Sequence, residues 1–174
     1  MAEKISTFDE LYLESLRDLY SAESQLVEAL PKMAESSENE RLKKAFTDHL
    51  AQTRGHVQRL EEIFEDLEED PAGETCAAMK GLVEEGNKMV EEVEAGSVLD
   101  AALIEAAQKV EHYEIASYGT VRTYAQILGY DEHSEKLQET LDEEKGADEL
   151  LNEIAMSQVN EEASQDEMVS STSS

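Results

Sequence analysis

Apolar residues recur every three to four positions along four long stretches of the chain, the spacing of one buried face of an α-helix. The first stretch spans 7–34, with Phe8, Tyr12, Leu16, Leu19, Tyr20, Leu26, Val27 and Leu30 on its stripe. Thr7 and Glu10 stand at capping-box spacing where it starts, and Pro31 predicts a bend or a frayed last turn where it ends. The second spans 37–66 through Leu42, Phe46, Leu50, Val57, Leu60 and Phe64, and Ser37 with Glu40 repeats the capping-box spacing. Glu68 to Gly73 break the pattern. A shorter helix is predicted over 75–94, with Gly96 as its stop. The third long helix covers 97–128 through Leu99, Leu103, Ala106, Val110, Tyr118, Val121 and Ala125, and Gly129 ends it. The fourth, capped by Asp131, covers 131–160 through Leu137, Leu141, Leu151 and Ile154. Residues 161–174 are acidic and serine-rich with little to bury, so this tail is expected to be disordered.

Alternating β-branched runs are almost absent, and the class is all-α. Short loops after the first and third helices dictate antiparallel hairpins, while the connection over 67–96 is long enough to carry the chain back along the bundle. Two hairpins joined by a crossover make a ferritin-like four-helix bundle, here with a short fifth helix on the crossover and one domain over 1–160.

Charge changes the picture next. Asp and Glu total 42 against 14 Lys and Arg, a formal charge of −28 in 174 residues, with a pI near 4.2. Such a field repels nucleic acid and anionic membranes, so neither is expected as a partner. A salt-rich cytoplasm would screen it, the usual halophile arrangement; the alternative is a surface that gathers cations. The single cysteine, Cys76, excludes an internal disulfide and is given no role. The first ten residues hold no apolar run, and a cytoplasmic location is expected.

With so many acids, those on core faces are the informative ones, because an isolated buried charge is very costly. Glu23 stands in the first stripe. His49, Thr53 and His56 interrupt the second, Glu114 with Glu111 one turn earlier interrupts the third, and Glu144 and Asp148 interrupt the fourth. Counting equal rise from each hairpin turn, near Ser36 and near Tyr130, puts Glu23 level with His49 and Glu114 level with Glu144 and Asp148. Carboxylates with imidazole at one level suit two iron or manganese ions. The plainer readings are an edge ion pair for Glu23, a hydrogen-bonded core histidine for His49, and a surface pair with Lys145 or Lys109 for Glu144. Glu111 could equally hold His49 or a water, and His56 reads as a boundary residue or an outer partner. His112 is expected to face outward, and Tyr20, Tyr113 and Tyr118 to be core residues or neighbours of the site.

The strings Leu-Arg-Asp-Leu-Tyr-Ser-Ala-Glu-Ser-Gln (16–25), Ala-Leu-Pro-Lys-Met-Ala (29–34), His-Val-Gln-Arg-Leu-Glu (56–61), Val-Glu-His-Tyr-Glu-Ile-Ala (110–116) and Thr-Leu-Asp-Glu-Glu-Lys (140–145) resemble the YciE/YciF ferritin-like family. The resemblance covers about 7–160. It implies a ferritin-like bundle, commonly dimeric, with a dimetal centre, in proteins linked to general and osmotic stress. By position it implies a ligand region of Glu23, His49, Glu111, Glu114, Glu144 and Asp148, with a Glu in relatives where this chain has Gln52. Two functions follow as expectations. One is a dimetal protein that oxidises Fe²⁺ or removes peroxide, with O₂ or peroxide at the open positions. The other is a non-catalytic acidic helical homodimer that works through a protein partner and keeps a degenerate site, a reading that Gln52 and the lack of a Glu-x-x-His motif favour. Cage-type iron storage has no support in the sequence.

Overall fold

The computed structural model describes residues 4–171 and is all-helical there, with no strand among the described residues. Its elements are α1 (Phe8–Ser36), α2 (Glu40–Asp66), α3 (Ala77–Glu92), α4 (Ser97–Leu128) and α5 (Asp131–Ile154). A π-helical turn (Ala155–Val159) then leads into α6 (Asn160–Ser171). At the start of α1 the Thr7 hydroxyl accepts from the Glu10 N–H while the Glu10 carboxylate accepts from the Thr7 N–H, the reciprocal cap the sequence predicts. Pro31 does not end the helix, which continues to Ser36.

Four local expectations are corrected. Asn39, not Ser37, caps α2: its Oδ1 accepts from Arg41 and Leu42, while the Ser37 hydroxyl turns back to the Met33 carbonyl. The Asp100 carboxylate, buried at the start of α4, accepts the Glu38 and Asn39 N–H groups and so pins that loop. Gly96, at φ 131°, precedes α4 rather than closing α3, and Tyr130 rather than Asp131 holds the N-cap of α5. The tail read as disordered from 161 instead runs as helix to Ser171, and 172–174 lie outside the described residues. A helix already nucleated extends at little cost, and Ala155 and Val159 of the π turn are buried.

Cross-helix contacts define the directions. Arg17 reaches Glu69 and Tyr20 reaches Glu61, so α1 and α2 run antiparallel across their three-residue loop. Arg122 with Gln138 and His112 with Asp148 show the same for α4 and α5. His133 with Asp66, Arg59 with Glu143 and Arg41 with Glu153 set α2 antiparallel to α5. Asp18 with Tyr113 and Phe8 with Tyr124 set α1 against α4. Helix α3 lies against α1 and α4, and Cys76 docks it. The thiol is buried at the α3 N-cap, within reach of the Tyr113 hydroxyl and the Asp18 carboxylate.

The apolar interior is divided in two. One zone holds Leu26 and Leu30 of α1, Leu42 and Phe46 of α2, Leu103 and Val110 of α4 and Leu151 and Ile154 of α5. The other holds Tyr12, Leu16 and Leu19, then Leu60 and Phe64, then Tyr118 and Val121, then Leu137 and Leu141. Each of these four helices passes from one zone to the other, and where it crosses each carries at least one buried carboxylate or histidine.

Candidate metal centre

That crossing layer holds Glu23 from α1, His49, Thr53 and His56 from α2, Glu111 and Glu114 from α4 and Glu144 from α5, all buried. Glu23, His56, Glu114 and Glu144 are 0% exposed, which rules out solvated or edge-paired roles for them. The surface pairing considered for Glu144 is thus overturned, and so is the boundary reading of His56. The buried face of α2 runs Leu42, Phe46, His49, Thr53, His56, Leu60 and Ile63, a spacing near 3.5 that puts His56 in register and leaves Val57 beside it half-buried.

Two sets of donor atoms gather within 4.8 Å: His49, Glu111, Glu114 and Glu144 in one, and Glu23, His56 and Glu144 in the other. Glu144 belongs to both. His49 Nε2 lies 3.1 Å from Glu111 Oε1 and 3.5 Å from Glu144 Oε2. His56 Nδ1 lies 2.8 Å from Glu144 Oε1 and 3.1 Å from Glu23 Oε1. Glu23 therefore meets His56 rather than the level-matched His49. The two imidazoles, two turns apart on α2, are 6.2 Å between centroids.

These imidazole–carboxylate contacts are ion pairs rather than well-aligned hydrogen bonds. His49 Nε2, His56 Nδ1, Glu23 Oε2, Glu111 Oε2 and all four oxygens of Glu114 and Glu144 are buried without a hydrogen-bond partner. Buried polar atoms are normally satisfied, and a cluster of exceptions calls for an ion or similar group. The outward atoms are, by contrast, held. His49 Nδ1 pairs with Gln52 Oε1 at 3.2 Å, and His56 Nε2 with Glu143 Oε2 at 2.7 Å. Glu143 is itself gripped by Arg59 through both oxygens, and the Tyr118 hydroxyl donates to Glu23 Oε1. Such outer partners fix the ring orientation so that the free nitrogen faces inward, the arrangement common around metal-binding histidines.

The electrostatics of the metal-free layer follow from packing acids out of water. Burial pushes the Glu114 carboxyl well above its usual range, and the neighbouring Glu144, Glu23 and Glu111 carboxylates add to the shift. Burial also raises Glu23 and takes Glu111 to about 8. Desolvation works against protonating the imidazoles, yet Glu111 and Glu144 raise His49 to about 9, and Glu144 with Glu23 raise His56 to about 11. Glu144, resisted by burial but facing both imidazoles, stays ionised at about 2. Protons thus occupy the layer where cations would otherwise neutralise it.

The remaining residues fall as follows. Asp148 is not part of either set: it is half-buried on the flank of α5, where it accepts from Gln108 Nε2 at 3.3 Å and sits 3.1 Å from His112 Nε2. His112 faces outward as expected. Gln52 is exposed and touches the layer only through His49. Glu143 and Arg59 were missed by the sequence reading; the signal available was Glu143 beside Glu144 on a helix whose stripe is sparse. His133 is buried between Tyr12 and Asp66 at the far end of the second apolar zone.

A family described as a domain of unknown function, DUF892, matches residues 7–164. The chain belongs to this family. It is 46% identical over 160 residues to Protein YciF of Escherichia coli K12, covering 91% of this chain and 96% of that protein. The crystal structure of that E. coli stress protein superposes with a TM-score of 0.86 at 46% identity, covering 90% of this chain and 99% of the other. YcfI from Rhodopseudomonas palustris gives 0.84 at 42% identity, over 87% and 97% of the two chains. A Xanthomonas campestris protein at 19% identity gives 0.72 over 92% and 99%, and shares the fold. No helix among the described residues is long and apolar enough to cross a membrane.

Proposed function

We propose that this chain is a ferritin-like four-helix dimetal protein, built from α1, α2, α4 and α5, and that it acts on O₂ or peroxide during stress, as a cytoplasmic homodimer. The observation that carries the reading is Glu114, fully buried on α4 with neither oxygen bonded, its donor atom within 4.8 Å of those of His49, Glu111 and Glu144. Four carboxylates, Glu23, Glu111, Glu114 and Glu144, balance two divalent cations in charge, and the oxygen-rich set with two nitrogens suits iron or manganese. Glu144, common to both donor sets, would be shared; His49, Glu111 and Glu114 would serve one ion, Glu23 and His56 the other. Iron or manganese pairs supply electron transfer to oxygen species and Lewis acidity. The chain's own residues do the rest: Gln52 and Glu143 aim the imidazoles, Tyr118 holds one Glu23 oxygen, and the two apolar zones keep bulk water off the layer. Asp148 and Gln52 stand outside the ligand set. The stress role follows the name of the E. coli relative.

The test is consumption of hydrogen peroxide, and separately oxidation of Fe²⁺, by protein reconstituted with iron or manganese. Either activity is expected well above that of Glu114→Gln treated alike. Equal rates in both proteins would remove the catalytic reading. Gln52, a neutral amide, favours the second reading, a non-catalytic dimer that keeps a weakened site; that reading predicts metal uptake with neither activity.

A further inference from the structure

A cavity of about 250 Å³ opens between α2 and α5 and ends on His49 and Glu111. Its walls are apolar, with Leu26, Met33, Phe46, Val110 and Leu151 among them. Its lining is not wholly apolar: His49 and Glu111 belong to it, and Glu111, 2% exposed, has one carboxyl oxygen without a hydrogen-bond partner. Its mouth passes Gly146 in the interior of α5. A mid-helix glycine weakens the helix relative to alanine, and here neither a left-handed φ nor crowding requires one, because a β-carbon at 146 would meet no atom within 4 Å. What Gly146 does provide is an open entrance.

We propose that this cavity is a binding site for a small neutral amphiphile, an alkylphenol or comparable alcohol of about ten heavy atoms, whose hydroxyl donates to Glu111. The size follows from scale: a cavity of about 150 Å³ holds benzene, so this one takes roughly two-thirds more. The apolar walls select a hydrocarbon body. Asp48, Glu111 and Glu143 along the lining, in a chain of net charge −28, disfavour an anionic head group. The ligand would be a substrate because it ends beside the donor set of His49, Glu111, Glu114 and Glu144; that last step rests on the dimetal reading, whereas the binding does not.

Calorimetric titration of metal-free protein with 4-propylphenol is expected to show one site per chain. The 4-propylbenzoate anion should bind at least tenfold more weakly. Gly146→Phe, placed where a β-carbon is unopposed, should lose phenol binding by at least tenfold while keeping the wild-type melting temperature and metal content; Ala147→Phe is the second blocking variant should the first not fold. Undiminished binding in a folded blocking variant, preference for the benzoate, or no binding to wild type would each overturn the proposal. Metal content of the wild type, measured alongside, separates the two ideas: phenol binding without metal uptake sinks the dimetal reading alone, and metal uptake without phenol binding sinks the pocket alone.

Discussion

Replacing Glu114 by Gln should move stability in opposite directions with and without metal. In the metal-free protein the buried Glu114 carboxyl, raised well above its ordinary 4.5, must take up a proton to fold at pH 7. Holding a proton at pH 7 against an ordinary value of 4.5 costs at most about 3 kcal/mol, at roughly 1.4 kcal/mol per unit. Gln is isosteric, neutral at any pH and still offers donors to Glu111 and Glu144, so the substitution removes that cost. For a chain of this size about 3 kcal/mol corresponds to roughly 6–12 °C in melting temperature. The metal-free variant should therefore melt higher than wild type at pH 7, and the gain should vanish near pH 4.5. With manganese in excess the order reverses: two ions, each at 100 times its Kd, stabilise wild type by about 5 kcal/mol, which exceeds the gain above, and the variant, short of one carboxylate, should gain far less. Thermal unfolding by circular dichroism, with chelator and with Mn²⁺, reads both. An equal loss of melting temperature in the two conditions would refute the reasoning and make Glu114 a packing residue.

Metal-free protein should lose stability as pH rises from about 4.5 to 9. Over that window the folded state holds protons on Glu111 up to about 8 and on His49 up to about 9 that the unfolded chain has released, so each contributes a fall of about 1.4 kcal/mol per pH unit between its unfolded and folded values. Metal-loaded protein should show a much flatter profile, and urea titrations at spaced pH values distinguish the two. Gln52→Ala should weaken metal binding by about 10- to 100-fold without moving the metal-free melting point greatly, because it frees His49 Nδ1 rather than removing a ligand; competition with a chromogenic chelator measures it. Raising NaCl from 0.05 to 1 M should raise the melting temperature by several degrees, because screening relieves the self-repulsion of a −28 chain, and a flat response would mean that the local ion pairs already neutralise the surface.

The helices were readable because their apolar period is strong: the buried residues of α4 are nearly those its stripe names, from Leu99 to Ala125. The polar interruptions of those stripes gave Glu23, His49, Glu111, Glu114 and Glu144 for the same reason, since a charge in a core register needs a partner. His56 interrupts the stripe of α2 yet reads as a boundary residue or an outer partner, because Val57 beside it is the better apolar residue, whereas the face of α2 turns with a period near 3.5 and buries His56. Asp148 is in register but at the flank, where α4 offers Gln108 and His112 to hold it; periodicity cannot see that competition. The outer partners Glu143 and Arg59 sit off the stripe and reach inward with long side chains, which only the helix-to-helix geometry reveals. The helical tail escaped because α6 has almost no apolar face and follows from continuity through the π turn.

The central claim is that Glu144 joins two donor sets, one with His49, Glu111 and Glu114 and one with Glu23 and His56. Metal analysis by mass spectrometry after anaerobic reconstitution with Fe²⁺ and with Mn²⁺, run on wild type, Glu111→Gln and Glu144→Gln, tests it directly. Two ions per wild-type chain, about one for Glu111→Gln and fewer than one for Glu144→Gln is the predicted pattern. A wild type that retains less than one ion, or a Glu144→Gln that retains two, would contradict it.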